Sequence, residues 1–142
     1  MLKEEKIVDI VRGYLEGRGY VIKNKDKKNS EHGCDIITEN HKKWRKNYYI
    51  EVKGEGTEKS KNATKANAFW TLFGQIICRM DIGGNDYKKG RIYAIAIPAN
   101  WENTFKNKIN KMAYGWKLLK LKVFLVSEKE VKEKSYSYFL KK

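Results

Sequence analysis

The run RIYAIAI, from Arg91 to Ile97, constrains the fold of this chain more than any other stretch. A strand that is apolar at nearly every position has no face to give to water, so it belongs inside a sheet covered on both sides. Pro98, the single proline, marks its end. Helical patterns on either side supply the cover. Lys65 to Met80 places Phe69, Leu72, Phe73, Ile76 and Met80 on one stripe, and Trp101, Phe105, Ile109 and Met112 repeat at helical spacing behind Asn100, a candidate N-cap. Leu121 to Val126 reads as a second buried strand.

Upstream, Ile7, Val8, Val11, Tyr14 and Leu15 share one face of a helix over residues 3 to 17, which Gly17 and Gly19 stop. Tyr20 to Ile22 is a short strand, and KNKDKKNSEHG a polar loop. Cys34 to Thr38 and Tyr48 to Lys53 are strand-like runs joined by the polar segment 39 to 47, the pattern of a hairpin. Gly54 and Gly56 end the second strand, and DIGGNDYKKG is a turn segment before the central strand. The predicted order is αβββαβαβ: an α/β fold with a central mixed β-sheet flanked by helices. After Ser127 the pattern is divided, SEKEVKEK suiting a helix and SYSYFL a strand. With no repeat and no long linker, residues 1–142 form a single expected domain.

Thirty-one Lys and Arg against seventeen Asp and Glu give a net charge of +14. Such an excess on a small body points to a polyanionic partner, DNA before an anionic membrane; a merely solubilising surface is the other reading. The basic residues cluster at Lys23 to Lys28, Lys42 to Lys46, Lys59 to Lys65 and Lys106 to Lys122, which suits a broad phosphate-tracking face. Cys34 and Cys78 form no CxxC pair and have no histidine at ligand spacing, so zinc is not indicated and free thiols are expected. MLKEEK leads into no long apolar stretch, so neither signal peptide nor membrane helix is expected, and the expected location is cytoplasmic.

Metal-assisted cleavage of a phosphodiester needs carboxylates for the ion and a positioned water. In Tyr48 to Lys53, alternation puts Tyr49, Glu51 and Lys53 on one face, with Glu51 and Lys53 roughly 7 Å apart. If the hairpin turns about residue 43, Asp35 falls opposite Glu51, their Cβ atoms about 5 Å apart. Facing carboxylates repel unless a cation lies between them, and the Lys53 ammonium would offset part of that repulsion. Acid-x-Lys by itself is weak, since this chain contains it five times. Only Glu51 and Lys53 follow an aromatic and aliphatic strand, precede a glycine, and have an upstream strand carrying its own acid. The bland alternative is an exposed hairpin face with solvated charges.

GCDII followed by YYIEVKGE resembles the PD-(D/E)xK nuclease superfamily, which includes restriction enzymes and Holliday junction resolvases. The likeness is close over the hairpin and loose over the αβββαβ layout, and Cys34 stands where the motif usually has proline. The resemblance implies a restriction endonuclease-like fold and a Mg²⁺-dependent endonuclease acting on DNA, with Mn²⁺ able to substitute. By it, Asp35 and Glu51 bind the metal, the Val52 carbonyl adds a ligand, and Lys53 orients the attacking water. It also assigns a metal-site role to Glu4, whose alternative is favourable charge at a helix N-terminus.

Gln75 and Arg79, one turn apart, weakly resemble the Gln-x-x-x-Tyr helix of some relatives; either could contact nucleic-acid phosphate or approach the metal site, the alternative being boundary polar groups. Lys59, Lys61 and Lys65 leave the catalytic strand and are the better phosphate candidates. His32 reads as a loop residue, while Trp44 and Trp70 suit base stacking, the core or a dimer interface. Cutting both strands would call for a homodimer, since one chain brings one site. The rival expectation is a non-catalytic nucleic-acid-binding module on the same scaffold.

Overall fold

The computed structural model describes residues 2–24, 34–39, 47–55, 61–80 and 90–141, with backbone only for 61–66. The loop containing His32, the turn containing Trp44, Lys59, the side chains of Lys61 and Lys65, and segment 81–89 lie outside the described residues.

Helix α1 (Glu4–Gly17) buries Ile7, Val11 and Leu15, every fourth residue of its amphipathic pattern. Its end is a Schellman turn: the Gly19 N–H donates to the Glu16 carbonyl and the Tyr20 N–H to the Leu15 carbonyl, both at 3.0 Å. Gly19 has φ 90°, a conformation that glycine adopts without Cβ strain, so it is the residue that stops the helix.

Strands β1 (Val21–Ile22), β2 (Ile36–Glu39) and β3 (Asn47–Val52) pair antiparallel in sequence order. Helix α2 (Lys61–Arg79) crosses over to β4 (Arg91–Pro98), which runs parallel to β3. A 3-10 turn (Ala99–Trp101), α3 (Glu102–Asn110) and α4 (Ala113–Leu119) then lead to β5 (Lys122–Val126), parallel to β4. β6 (Val131–Lys134) pairs antiparallel with β5, and a second 3-10 turn, Tyr136–Phe139, follows it. The sheet is six-stranded and mixed, in the order β1-β2-β3-β4-β5-β6.

This is the α/β layout expected from the sequence, a mixed sheet flanked by helices, with two differences. Where one helix was expected from Trp101 to Met112, residues 102–119 form two short helices with a break at Lys111 and Met112. The divided signal after Ser127 resolves against both expectations: VKEK supplies a strand and YSYF a 3-10 turn. β6 forms because its antiparallel partner is the buried β5; local propensity is overridden by pairing.

The expected two-sided burial of the central strand holds, β4 being buried from Ile92 through Pro98. One face of the sheet packs Tyr48, Ile50, Val52, Ala94 and Phe124 under α1. The other packs Tyr93, Ile95, Ile97, Val123 and Leu125 under Phe69, Leu72 and Ile76 of α2 and under Trp101, Phe105 and Trp116. Both parallel crossovers thus carry their helices to the same side, leaving the opposite face to α1. Asn100 does not cap a helix. Its Nδ2 donates to Glu55 Oε1 at 3.1 Å, tying the start of the α3 segment to the chain leaving β3.

Candidate active site

The hairpin register is Ile36 to Ile50 and Ile37 to Tyr49. One step further along both strands, Asp35 comes into line with Glu51. The Val52 N–H donates to Asp35 Oδ2 at 2.8 Å, which fixes the Asp35 carboxylate against the end of β3. Asn24 secures the segment from behind, its Nδ2 donating to the carbonyls of Cys34 and Asp35 at 2.9 and 3.3 Å and its Oδ1 accepting from the Ile37 N–H.

Glu51 is only 3% exposed, a rare state for a carboxylate unless it has partners. Burial is the largest reason its pKa rises to about 7, and the neighbouring Asp35 charge and hydrogen bond push the same way. Arg79, in the last turn of α2, works against that rise: its Nε donates to Glu51 Oε1 at 3.2 Å. Cys34 lies beside this pair. Burial first, then the Glu51 charge, push its thiol up to about 12, so it is a neutral packing group and not a nucleophile.

Lys53 follows the last residue of β3, and its N–H donates to the Ala96 carbonyl at 3.1 Å. Its ammonium lies 3.8 Å from Glu4 Oε1. Glu4 is held there by a close backbone approach. A Cβ on Gly54 would come within 2.2 Å of the Glu4 backbone nitrogen and 2.6 Å of the Lys3 carbonyl carbon, so the start of α1 rests directly on glycine. Two hydrogen bonds between Leu2 and Glu55, 2.7 Å backbone to backbone and 2.9 Å to the Glu55 carboxylate, complete the clasp.

No family model matches the chain, and no curated protein matches it. Two solved structures resemble it. An XisH family protein from Nostoc punctiforme superposes with TM-score 0.52 at 19% identity, covering 91% of this chain and 98% of its own. An fdxN element excision controlling factor protein from Anabaena variabilis gives TM-score 0.49 at 18% identity, over 89% of this chain and 95% of that one. The first likeness is one of fold.

Asp35 and Glu51 offer hard oxygen donors, and both the burial of Glu51 and its repulsion from Asp35, which raise its pKa, are what a divalent cation would offset. They fit an ion such as Mg²⁺, which is commonly held by one or two carboxylates together with water and substrate phosphate. Among the described residues no three His, Cys, Asp or Glu side chains are placed to hold a metal ion together, so the candidate ligands are these two carboxylates. Glu4 stands at the Lys53 end of the pair and is 47% exposed on its side chain. Val52 buries its side chain in the core under α1 and gives its N–H to Asp35.

Of the helix candidates, Arg79 reaches the carboxylate pair, whereas Gln75 is half-buried and makes no hydrogen bond among the described residues. The sequence offered Arg79 phosphate, the metal site or a boundary polar role; in the structure it lies against Glu51. Sequence reasoning gave Gly54 only a strand-ending role; the added signal is a glycine directly after acid-x-Lys, where another element comes close.

Proposed function

We propose that the protein is a metal-dependent endonuclease that hydrolyses phosphodiester bonds in DNA, Asp35 and Glu51 holding Mg²⁺ or Mn²⁺ and Lys53 positioning the attacking water. The observation that carries this reading is the meeting of Asp35 with the buried carboxylate of Glu51 at the end of the β2–β3 hairpin, two residues from Lys53. When bound, the ion supplies a Lewis acid for the phosphate oxygen and a source of activated water.

The remaining steps belong to the chain. Val52 keeps the Asp35 carboxylate turned toward Glu51 through its N–H. Lys53, anchored through its backbone on β4 and facing Glu4, offers an ammonium that hydrogen-bonds a water and balances charge on the pentacoordinate phosphate. The net charge of +14 supports DNA as the polyanion, since Lys and Arg at phosphates release counterions. Lys61, Lys65 and Lys59 are proposed to follow the backbone of that DNA. Double-strand cutting is proposed to proceed through a homodimer acting in the cytoplasm; no described helix is long and apolar enough to cross a membrane.

The test is nicking of plasmid and branched DNA in Mg²⁺, with Lys53→Ala and Asp35→Ala beside the native chain. Cleavage lost in both supports the assignment, and cleavage retained in either refutes it. A chain that binds DNA but neither Mn²⁺ nor cuts is the non-catalytic module instead.

A further inference from the structure

We infer that Arg79 is a placeholder cation at Glu51, displaced when a divalent ion binds and then free to clamp the phosphate being cut. This rests on the metal reading of Asp35 and Glu51.

The physical ground is competition for one carboxylate. Glu51 is almost wholly buried, and its only mobile counter-charge among the described residues is the Arg79 guanidinium at 3.2 Å. A dication on the same carboxylate would meet that guanidinium at contact distance, and the two repel strongly where little water screens them. One must withdraw. Asp35 cannot move to make room, because Oδ2 is held by the Val52 N–H and its backbone by Asn24.

Arg79 can move. It occupies the last turn of α2, its side chain is 31% exposed, and the hydrogen bond it makes among the described residues uses Nε alone. Rotating the side chain outward breaks that single bond and disturbs no helical hydrogen bond. The guanidinium then keeps a two-pronged face of Nη donors, a geometry that matches two phosphate oxygens and that Lys cannot reproduce. In the DNA-free protein the same residue keeps a buried carboxylate from standing uncompensated, which explains why a cation-binding carboxylate can be buried before any ion arrives.

The experiment is calorimetric Mn²⁺ titration of the DNA-free chain, with plasmid nicking at saturating Mg²⁺, for the native protein, Arg79→Ala, Arg79→Met, Arg79→Lys and Asp35→Asn. Arg79→Met retains the aliphatic stem and keeps the test available should the alanine variant fold poorly. Loss of the competitor is expected to tighten Mn²⁺ binding about tenfold in Arg79→Met, the size of one charge-assisted hydrogen bond. Cleavage at saturating metal should fall by about a hundredfold, as for the loss of one donor to a developing charge. Arg79→Lys should bind Mn²⁺ at near-native strength yet cleave poorly. Unchanged or weaker Mn²⁺ binding in Arg79→Met, with Asp35→Asn still abolishing it, overturns the placeholder while leaving the nuclease reading standing. Tighter binding with undiminished cleavage overturns the clamp. A native chain that binds no Mn²⁺ overturns both the inference and the reading beneath it.

Discussion

The Val52 N–H donates to Asp35 Oδ2 at 2.8 Å, which holds the Asp35 carboxylate at the mouth of the hairpin, opposite Glu51. This bond separates two substitutions that a metal-site assay alone would treat as equal. Asp35→Asn keeps a side-chain acceptor for Val52 and removes only the charge. Asp35→Ala leaves that N–H without its partner and should cost about 1–3 kcal/mol of stability. Urea unfolding in EDTA is the check: equal losses for the two variants would show that the bond contributes little.

Gly54 is the second position with a definite expectation. Gly54→Ala would drive a methyl into the Glu4 backbone, an atom that cannot rotate away. The start of α1 must lift, at a cost of roughly 2 kcal/mol or more, and Glu4 moves away from Lys53. A crystal structure of the variant should show that displacement, and unchanged melting with an unmoved helix would contradict it.

Glu51 gives a pH dependence whose sign follows from the direction of its shift. The folded pKa, raised from 4.5 to about 7, lies above the unfolded one, so the folded state binds the proton more tightly. In the absence of metal the penalty is absent below about pH 4.5, grows as pH rises, and is complete above pH 7. At about 1.4 kcal/mol per unit it is on the order of 3 kcal/mol at most. Glu51→Gln should therefore gain on the native chain as pH is raised from 5 to 8 in EDTA. A stability difference that stays flat across that range would show the shift to be small.

Glu133 has the opposite sign. Burial alone would raise its pKa, but hydrogen bonds from Lys122 at 2.8 Å, from Tyr48 and from Tyr14 at 3.1 Å bring it below 4.5. Its contribution is present at neutral pH and lost as the solution falls through that lowered pKa. Glu133→Ala strips three donors of their acceptor beneath α1 and should cost about 2–4 kcal/mol at pH 7. Thermal unfolding at pH 7 and at pH 3 tests it, the gap between variant and native chain closing at the lower pH.

Much of this molecule was written in local patterns. Period-two alternation in YYIEVK and the apolar run RIYAIAI set strand identity, and the two-sided burial of the latter demanded helices on both faces. The near-symmetric spacing of the hairpin about residue 43 was enough to set Asp35 against Glu51, because a one-residue slip would have turned Ile36 and Ile50 out of the core. The strand of residues 131–134 was not legible, since its charged sequence becomes a strand only beside β5.

Side-chain meetings between distant elements were decided by the tertiary structure alone. Arg79 reaches Glu51 from 28 residues away because the α2 crossover returns its last turn to the end of β3, and periodicity specifies a helix face without specifying where that face docks. Glu4 meets Lys53 because glycine at 54 lets two backbones touch, and Asn100 binds Glu55 instead of capping a helix because that same clasp offers it a carboxylate. Sequence settles the kind of each element through energies local to it; which atoms face one another is settled by packing of the whole core, where no single stretch holds the information.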